Sequence, residues 1–261
     1  MSRIDATFRD LRQAGKTGLI TYVTAGDPDL ERSRDILVRL DRAGADVIEV
    51  GVPFSDPLAD GPVIQRATER AIASGTTMSK VLDMVSNTRS AIKAPIVLFT
   101  YANPILRMGL ETFVAKAKAA GVDGVLTLDV PPEESEAIRA ALAKARIDTI
   151  FLLSPTTSTE RIRRASALGT GFLYGISRLG VTGARTDVAD SAQELADRVR
   201  AETGMPLALG FGLSTPEHVR AISAFADAAV VGSALVNVIA EHGQSRKLLD
   251  EVERYVRWLK T

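Results

Sequence analysis

The chain has 261 residues, 46% hydrophobic and 25% charged, the balance of a soluble globular protein able to bury a large core. Thirty-two basic and 32 acidic residues cancel, so no long-range field draws the chain to nucleic acid or to an anionic membrane. Absence of cysteine excludes disulfides, thiolate catalysis and cysteine-bound metal, and no apolar run approaches the ~20 residues of a membrane span.

Met1–Asp5 is polar, unlike the apolar core of a signal peptide, so the cytoplasm is the expected location. Ile4–Ala14 predicts a helix with Ile4, Phe8 and Leu11 on one face, able to plug the bottom of a barrel. A strand at Leu19–Thr24 follows, then a helix at Leu30–Ala43 stopped by Gly44, and a strand at Asp46–Gly51. The alternation continues with helix Ser79–Ile92, strand Ile96–Tyr101, helix Leu110–Ala120 ahead of Gly121, and strand Gly124–Asp129. Helix Glu134–Lys144, strand Thr149–Ser154, helix Thr159–Leu168 ahead of Gly169, and strand Phe172–Ser177 come next. Helix Ser191–Ala201, strand Leu207–Gly210, helix Pro216–Phe225 and strand Ala228–Val231 complete the series. A terminal helix at Arg246–Leu259 spaces Leu248, Leu249, Val252 and Val256 along one face.

Strands alternating with helices imply right-handed βαβ units and a parallel sheet. Eight units without a break in composition predict an α/β chain folded as one closed (β/α)8 TIM barrel domain over residues 1–261, with an open doubly wound sheet as the alternative. The site of such a barrel lies on the loops at the carboxyl ends of the strands.

Glu49 sits inside the apolar second strand, where an ionised carboxylate is costly. It is either half of an ion pair within the barrel or a carboxyl tuned for acid–base chemistry, and the second reading leads. The following loop, Val52–Pro62, carries three prolines, two apolar side chains in Phe54 and Leu58, and the acids Asp56 and Asp60. Asp60 precedes Gly-Pro and could cap the next helix. The same loop also suits a site wall, and Pro53, Phe54, Asp56, Pro57 and Leu58 suit a partner surface. Gly180 and Gly183 after strand six, Gly210 and Gly212 after strand seven, and Gly232 with Ser233 after strand eight suit a phosphate held by backbone N–H groups and a helix N-terminus. No lysine falls at a strand end, which removes the Schiff-base route. His218 and His242 lie in or after helical segments, away from any ligand cluster, so no metal is expected. Carboxylate chemistry on a phosphorylated small molecule remains.

Several blocks resemble signatures of tryptophan synthase α-subunits, in that family's order and over nearly the whole chain. They are Thr24–Pro28, Glu49–Pro62, Tyr101–Pro104, Asp129–Glu134, Ser177–Gly183 and Gly210–Gly212. The resemblance implies cleavage of indole-3-glycerol phosphate to indole and glyceraldehyde 3-phosphate, with indole passed to a β-subunit in an α2β2 assembly. It implies no cofactor in this chain and pyridoxal phosphate in the β-subunit. It makes Glu49 the general acid–base residue and Asp60 the acceptor of the indole N–H. Tyr22, Phe99 and Tyr101 would line the indole pocket and Tyr174 would stand beside the reacting carbons, while Gly183, Gly212, Gly232 and Ser233 would hold the phosphate, with Phe211 nearby and Thr182 over the site. Gly175 and Leu128 depart from the commonest residues at their positions. A stand-alone lyase needing no partner, and a catalytically weak activating subunit, are the competing readings.

Overall fold

The computed structural model describes residues 1–176, 185–210 and 212–261, with the side chains of 185–191 left out. Eight strands occur in chain order: β1 (Gly18–Thr24), β2 (Val47–Gly51), β3 (Ile96–Thr100), β4 (Gly124–Thr127), β5 (Asp148–Leu153), β6 (Leu173–Ile176), β7 (Leu207–Gly210) and β8 (Ala228–Val231). Each pairs in parallel with its sequence neighbours, and β1 pairs with β8, so the sheet closes into the expected barrel. The helices of the first half are α1 (Arg3–Gln13), α2 (Leu30–Ala43), α3 (Pro62–Ala73), α4 (Met78–Thr88), α5 (Ala102–Met108) and α6 (Leu110–Ala120). Those of the second are α7 (Glu136–Ala145), α8 (Thr159–Leu168), α9 (Arg185–Glu202), α10 (Pro216–Ser223), α11 (Ser233–His242) and α12 (Leu248–Leu259).

The strands arise where β-branched and apolar residues run together, because both faces are covered. Outward side chains such as Leu19, Ile48, Leu98 and Leu209 join the helix faces in the larger core. Inward side chains Ile20, Val47, Val97, Leu126, Ile150 and Phe172 fill the barrel, and α1 closes its lower end. Ile4 is fully buried and Phe8 nearly so, with the Phe8 ring 5.5 Å from that of Phe172. Burying a phenylalanine here contributes about 1.5–3 kcal/mol. Ser2 and Asp5 form a reciprocal capping box that starts α1. At the other end of the chain, α12 lays Leu248, Val252, Val256 and Leu259 against the core, while Leu249 is only partly covered.

Three elements are longer or shorter than their sequence patterns. The Ser79–Ile92 pattern splits into α4 and a 3-10 turn at Arg89–Ala91. Helix α9 begins six residues before Ser191, and α10 stops at Ser223, short of Phe225. Gly44 and Gly121 end α2 and α6 in the left-handed conformation that favours glycine. Gly169 ends α8 with φ −80°, and a Cβ there would lie 2.8 Å from the Ala165 carbonyl oxygen.

Aspartates one residue ahead of three strands lock the lower rim. Asp46, Asp123 and Asp227 accept the N–H groups of Leu19, Ile96 and Leu207, each at the start of the preceding strand, at 2.8, 2.8 and 2.9 Å. The rim at the opposite, carboxyl end is left to the loops that form the site.

Candidate active site

Above the filled layers, the alternation along the strands turns a second set of side chains inward. Glu49 stands level with Tyr22 on β1 and Val97 on β3. Tyr22, Phe99 and Tyr174 form a connected set of rings, with centroids 5.2 Å apart for Tyr22–Phe99 and 6.3 Å for Phe99–Tyr174. Gly51 leaves room for this packing, since a Cβ there would lie 2.1 Å from the Tyr22 hydroxyl.

These rings open into a cavity of about 190 Å3. Its wall also holds Asp60, Gly212, Gly232 and Ser233, together with apolar Ile64, Leu128, Leu152, Ile176 and Val230. The space therefore has an aromatic and aliphatic body, a carboxylate on one side and a helix N-terminus on another. Helix α11 starts there with Gly232 at its cap and no side-chain cap bond. Among the described residues no side chain caps its first N–H groups, which suit an anion that the helix dipole favours. Gly212 adopts φ 68°, a conformation that other residues rarely take.

Glu49 is completely buried, and neither carboxylate oxygen has a hydrogen-bond partner among the described residues. No ion pair to Glu49 forms among the described residues. Burial alone pushes the Glu49 carboxyl up to about 8, so it holds its proton at pH 7. Glu49 is not among the residues that line the cavity, although its register neighbour Tyr22 is. Asp60 differs. Burial pushes it up to about 6, against the lowering effect of a hydrogen bond donated by the Tyr101 hydroxyl at 3.1 Å, so it is largely ionised at pH 7. Asp60 does not cap α3, because Gly61 is the cap residue and makes no side-chain bond. Burial and then the Asp60 charge hold the Tyr22 phenol well above its ordinary range, and burial does the same for Tyr174, so both stay neutral at pH 7.

The cavity brings together Tyr22, Asp60, Phe99, Tyr174, Gly212, Gly232 and Ser233. Tyr101 is buried but stands apart from the wall, where its hydroxyl accepts the Ala59 N–H at 3.0 Å and donates to Asp60. Thr182, Gly183 and Phe211, and the glycine-bearing connection from Ser177 to Ala184, lie outside the described residues. Of the loop chosen as a partner surface, Pro53 is buried, Phe54 and Pro57 are half-buried, and Asp56 and Leu58 are exposed, Leu58 by 93%. Phe54 rests on Tyr101 with ring centroids 5.2 Å apart. A groove of about 560 Å3 runs past Pro53, Phe54 and Asp56 to Arg107 and Met108 of α5.

Sequence reading passed over the apolar wall residues Ile64, Leu152, Ile176 and Val230. The strand members among them sit two places beyond filled-layer residues, as Leu152 does after Ile150, so the period-2 pattern could have found them. It also passed over Asp129, whose carboxylate accepts the Ala102 N–H at 2.7 Å and so starts α5, which has no side-chain cap of its own. The Thr24–Pro28 block turns out to be an anchor. Asp27, 2% exposed, takes two hydrogen bonds of 2.8 Å from Arg70 of α3.

Residues 8–261 match the family described as tryptophan synthase alpha chain. The tryptophan synthase alpha chain of Geotalea uraniireducens is 48% identical over 241 residues, covering 92% of this chain and 90% of that one. That of Geobacter sulfurreducens is 46% identical over 260 residues, covering 100% and 98%. Among solved structures, tryptophan synthase subunit alpha from Legionella pneumophila superposes with a TM-score of 0.92 at 38% identity, covering 99% and 97%. A chain of the tryptophan synthase complex from Pyrococcus furiosus gives 0.85 at 37% identity, covering 93% and 97%. The chain belongs to the tryptophan synthase alpha chain family.

Proposed function

We propose that the chain is the carbon–carbon lyase subunit of tryptophan biosynthesis, cleaving indole-3-glycerol phosphate to indole and glyceraldehyde 3-phosphate. The observation that carries this reading is the pair of carboxyl groups in opposite states. Near pH 7 Glu49 is protonated, while Asp60 is mostly ionised beside an aromatic cavity.

Glu49 gives its proton to indole C3, and the ring becomes an indolenine cation. That cation is the electron sink for breaking the bond between C3 and the glycerol carbon. Asp60 accepts the ring N–H and stabilises the positive charge as it develops, a preorganised electrostatic effect. The Glu49 carboxylate then takes the side-chain hydroxyl proton as the bond breaks, which yields the aldehyde and restores the acid. One carboxyl thus serves both proton movements, as its raised pKa permits. Glu49 stands on β2 level with Tyr22, which lines the cavity, and this supports its reaching C3. The start of α11, which no side chain caps among the described residues, with Ser233 and Gly212, supports binding of the phosphate. Thr182, Gly183 and Phe211 complete that reading by resemblance alone.

The chain needs no cofactor of its own, and pyridoxal phosphate belongs to the β-subunit. Exposed Leu58, half-buried Phe54 and Pro57, and the adjoining groove support docking of a β-subunit in an α2β2 assembly. Contact of Phe54 with Tyr101, and of Tyr101 with Asp60, gives that face a physical connection to the site. Residues 1–261 are read as one catalytic barrel domain working in the cytoplasm, and no helix among the described residues is long and apolar enough to cross a membrane. The test is indole release from indole-3-glycerol phosphate by the chain alone and with a β-subunit. Release stimulated by the β-subunit supports the reading. Full activity of the chain alone, with no complex on sedimentation, makes it a stand-alone lyase.

A further inference from the structure

Asp60 lies on a loop with little packing of its own. Leu58 is 93% exposed, Ala59 is exposed, and no atom of the described residues lies within 4 Å of where a Gly61 Cβ would be. A carboxylate placed by such a loop wanders unless specific bonds hold it. Two residues supply them from opposite sides. On the β3 side, the Tyr101 hydroxyl fixes the Ala59 N–H and the Asp60 carboxylate, at 3.0 and 3.1 Å. On the α3 side, the Gln65 side-chain amide donates to the Asp60 carbonyl oxygen at 2.9 Å and reaches the Pro57 carbonyl oxygen at 3.5 Å.

The Gln65 contact is placed where the backbone cannot help itself. The Asp60 N–H already bonds to the Pro57 carbonyl at 3.0 Å, which closes a turn. The Asp60 carbonyl lies just before the cap of α3, where it has no helical donor, and Gln65 is the only donor to it among the described residues. Gln65 is itself fixed, because its backbone N–H bonds to the Gly61 carbonyl at 3.0 Å in the first turn of α3. Helix α3 is tied in turn to the β1–α2 connection by the bidentate Arg70–Asp27 pair. The amide thus transmits the position of a packed helix to one peptide unit, the unit that carries the ionised carboxylate.

We infer that Gln65 is a positioning residue for cleavage, acting through Asp60 by holding its peptide carbonyl. The inference rests on the reading of Asp60 as the group that stabilises the charged indole ring. A misplacement of about 1 Å at a reacting group can cost on the order of 10²-fold in rate. Removing one of two restraints should cost less, about tenfold, and the loss should fall on kcat because the misplaced charge matters most in the transition state.

The experiment compares Gln65→Met, which keeps the length of the stem and removes the donor, with Gln65→Lys, which restores N–H donors at a similar reach. Asp60→Asn is measured beside them, all in indole release from indole-3-glycerol phosphate with the β-subunit present. Gln65→Met is expected to lower kcat about tenfold with KM within about twofold and melting temperature nearly unchanged, while Gln65→Lys recovers most of the loss. A Gln65→Met chain with kcat within twofold of the parent, or a Gln65→Lys chain no better than Gln65→Met, overturns the inference. If Asp60→Asn is itself fully active, the carboxylate-pair reading fails, and the role of Gln65 fails with it. If Asp60→Asn is inactive and Gln65→Met is active, only the positioning role is lost.

Discussion

Replacing Glu49 by Gln is expected to stop cleavage and, at the same time, to remove a pH-dependent cost of folding. The side chain is fully buried with no partner for either oxygen, and burial raises its pKa from 4.5 to about 8. Between those two values the folded chain keeps a proton that the unfolded chain has released. Stability therefore falls as pH rises, by about 1.4 kcal/mol per unit across the window. From pH 5 to pH 8 the summed loss is about 3 kcal/mol for the parent and absent for the Gln variant at this site. The neutral amide brings its own unmet donors, at ~1–3 kcal/mol, but that cost does not vary with pH. The quantity to measure is therefore the difference between the two chains, followed by urea or thermal unfolding from pH 5 to pH 8. For a chain of this size the difference corresponds to a relative change in melting temperature of roughly 6–12 °C. Parallel stability curves would refute the reasoning, because they would mean that Glu49 is ionised and paired in the folded chain.

Activity should follow the same two groups. The pH profile of kcat/KM is expected to rise through about 6 as Asp60 ionises and to fall through about 8 as Glu49 loses its proton. Tyr101→Phe removes the hydrogen bond that lowers the Asp60 pKa, so the acid limb should move to higher pH, and an unmoved limb would show that the bond does not set it. Ser233→Asp puts a negative charge at the start of α11, and KM should rise about 10–100-fold; an unchanged KM would move the phosphate elsewhere. Phe8→Ala should lower stability by about 3–5 kcal/mol with kcat/KM unchanged below the melting temperature, since Phe8 packs at the far end of the barrel.

Much of this architecture can be read from the amino-acid order. All eight strands fall within two residues of their β-branched runs, because a barrel strand is covered on both faces and must be apolar. The helices for which the pattern predicts no range have physical reasons to lack one. Helix α3 follows a proline-rich loop that reads as irregular, and α5 is seven residues long with Pro104 inside it. Helix α11 is apolar on most sides in its Ala234–Ile239 stretch, so it shows little polar–apolar contrast to mark it. Glu49 stands out because an acid in an apolar strand breaks the local pattern, and Asp60 because of its loop. What sequence cannot supply is the choice between rival uses of the same residue. Asp60 before Gly-Pro reads equally as a cap, and only the bond from Tyr101, 41 positions away, and the cap at Gly61 decide the matter. Tyr101 is a similar case. Its ring type suggests a pocket wall, whereas its hydroxyl holds the loop.

The most direct test of the account is indole release from indole-3-glycerol phosphate by Glu49→Gln, with the β-subunit present and the fold verified by its unfolding transition. Loss of at least ~10²-fold in kcat from a fully folded variant is the predicted result. A folded Glu49→Gln chain that keeps more than about a tenth of the parent rate would contradict it, since proton transfer of this kind contributes ~10²–10⁴-fold.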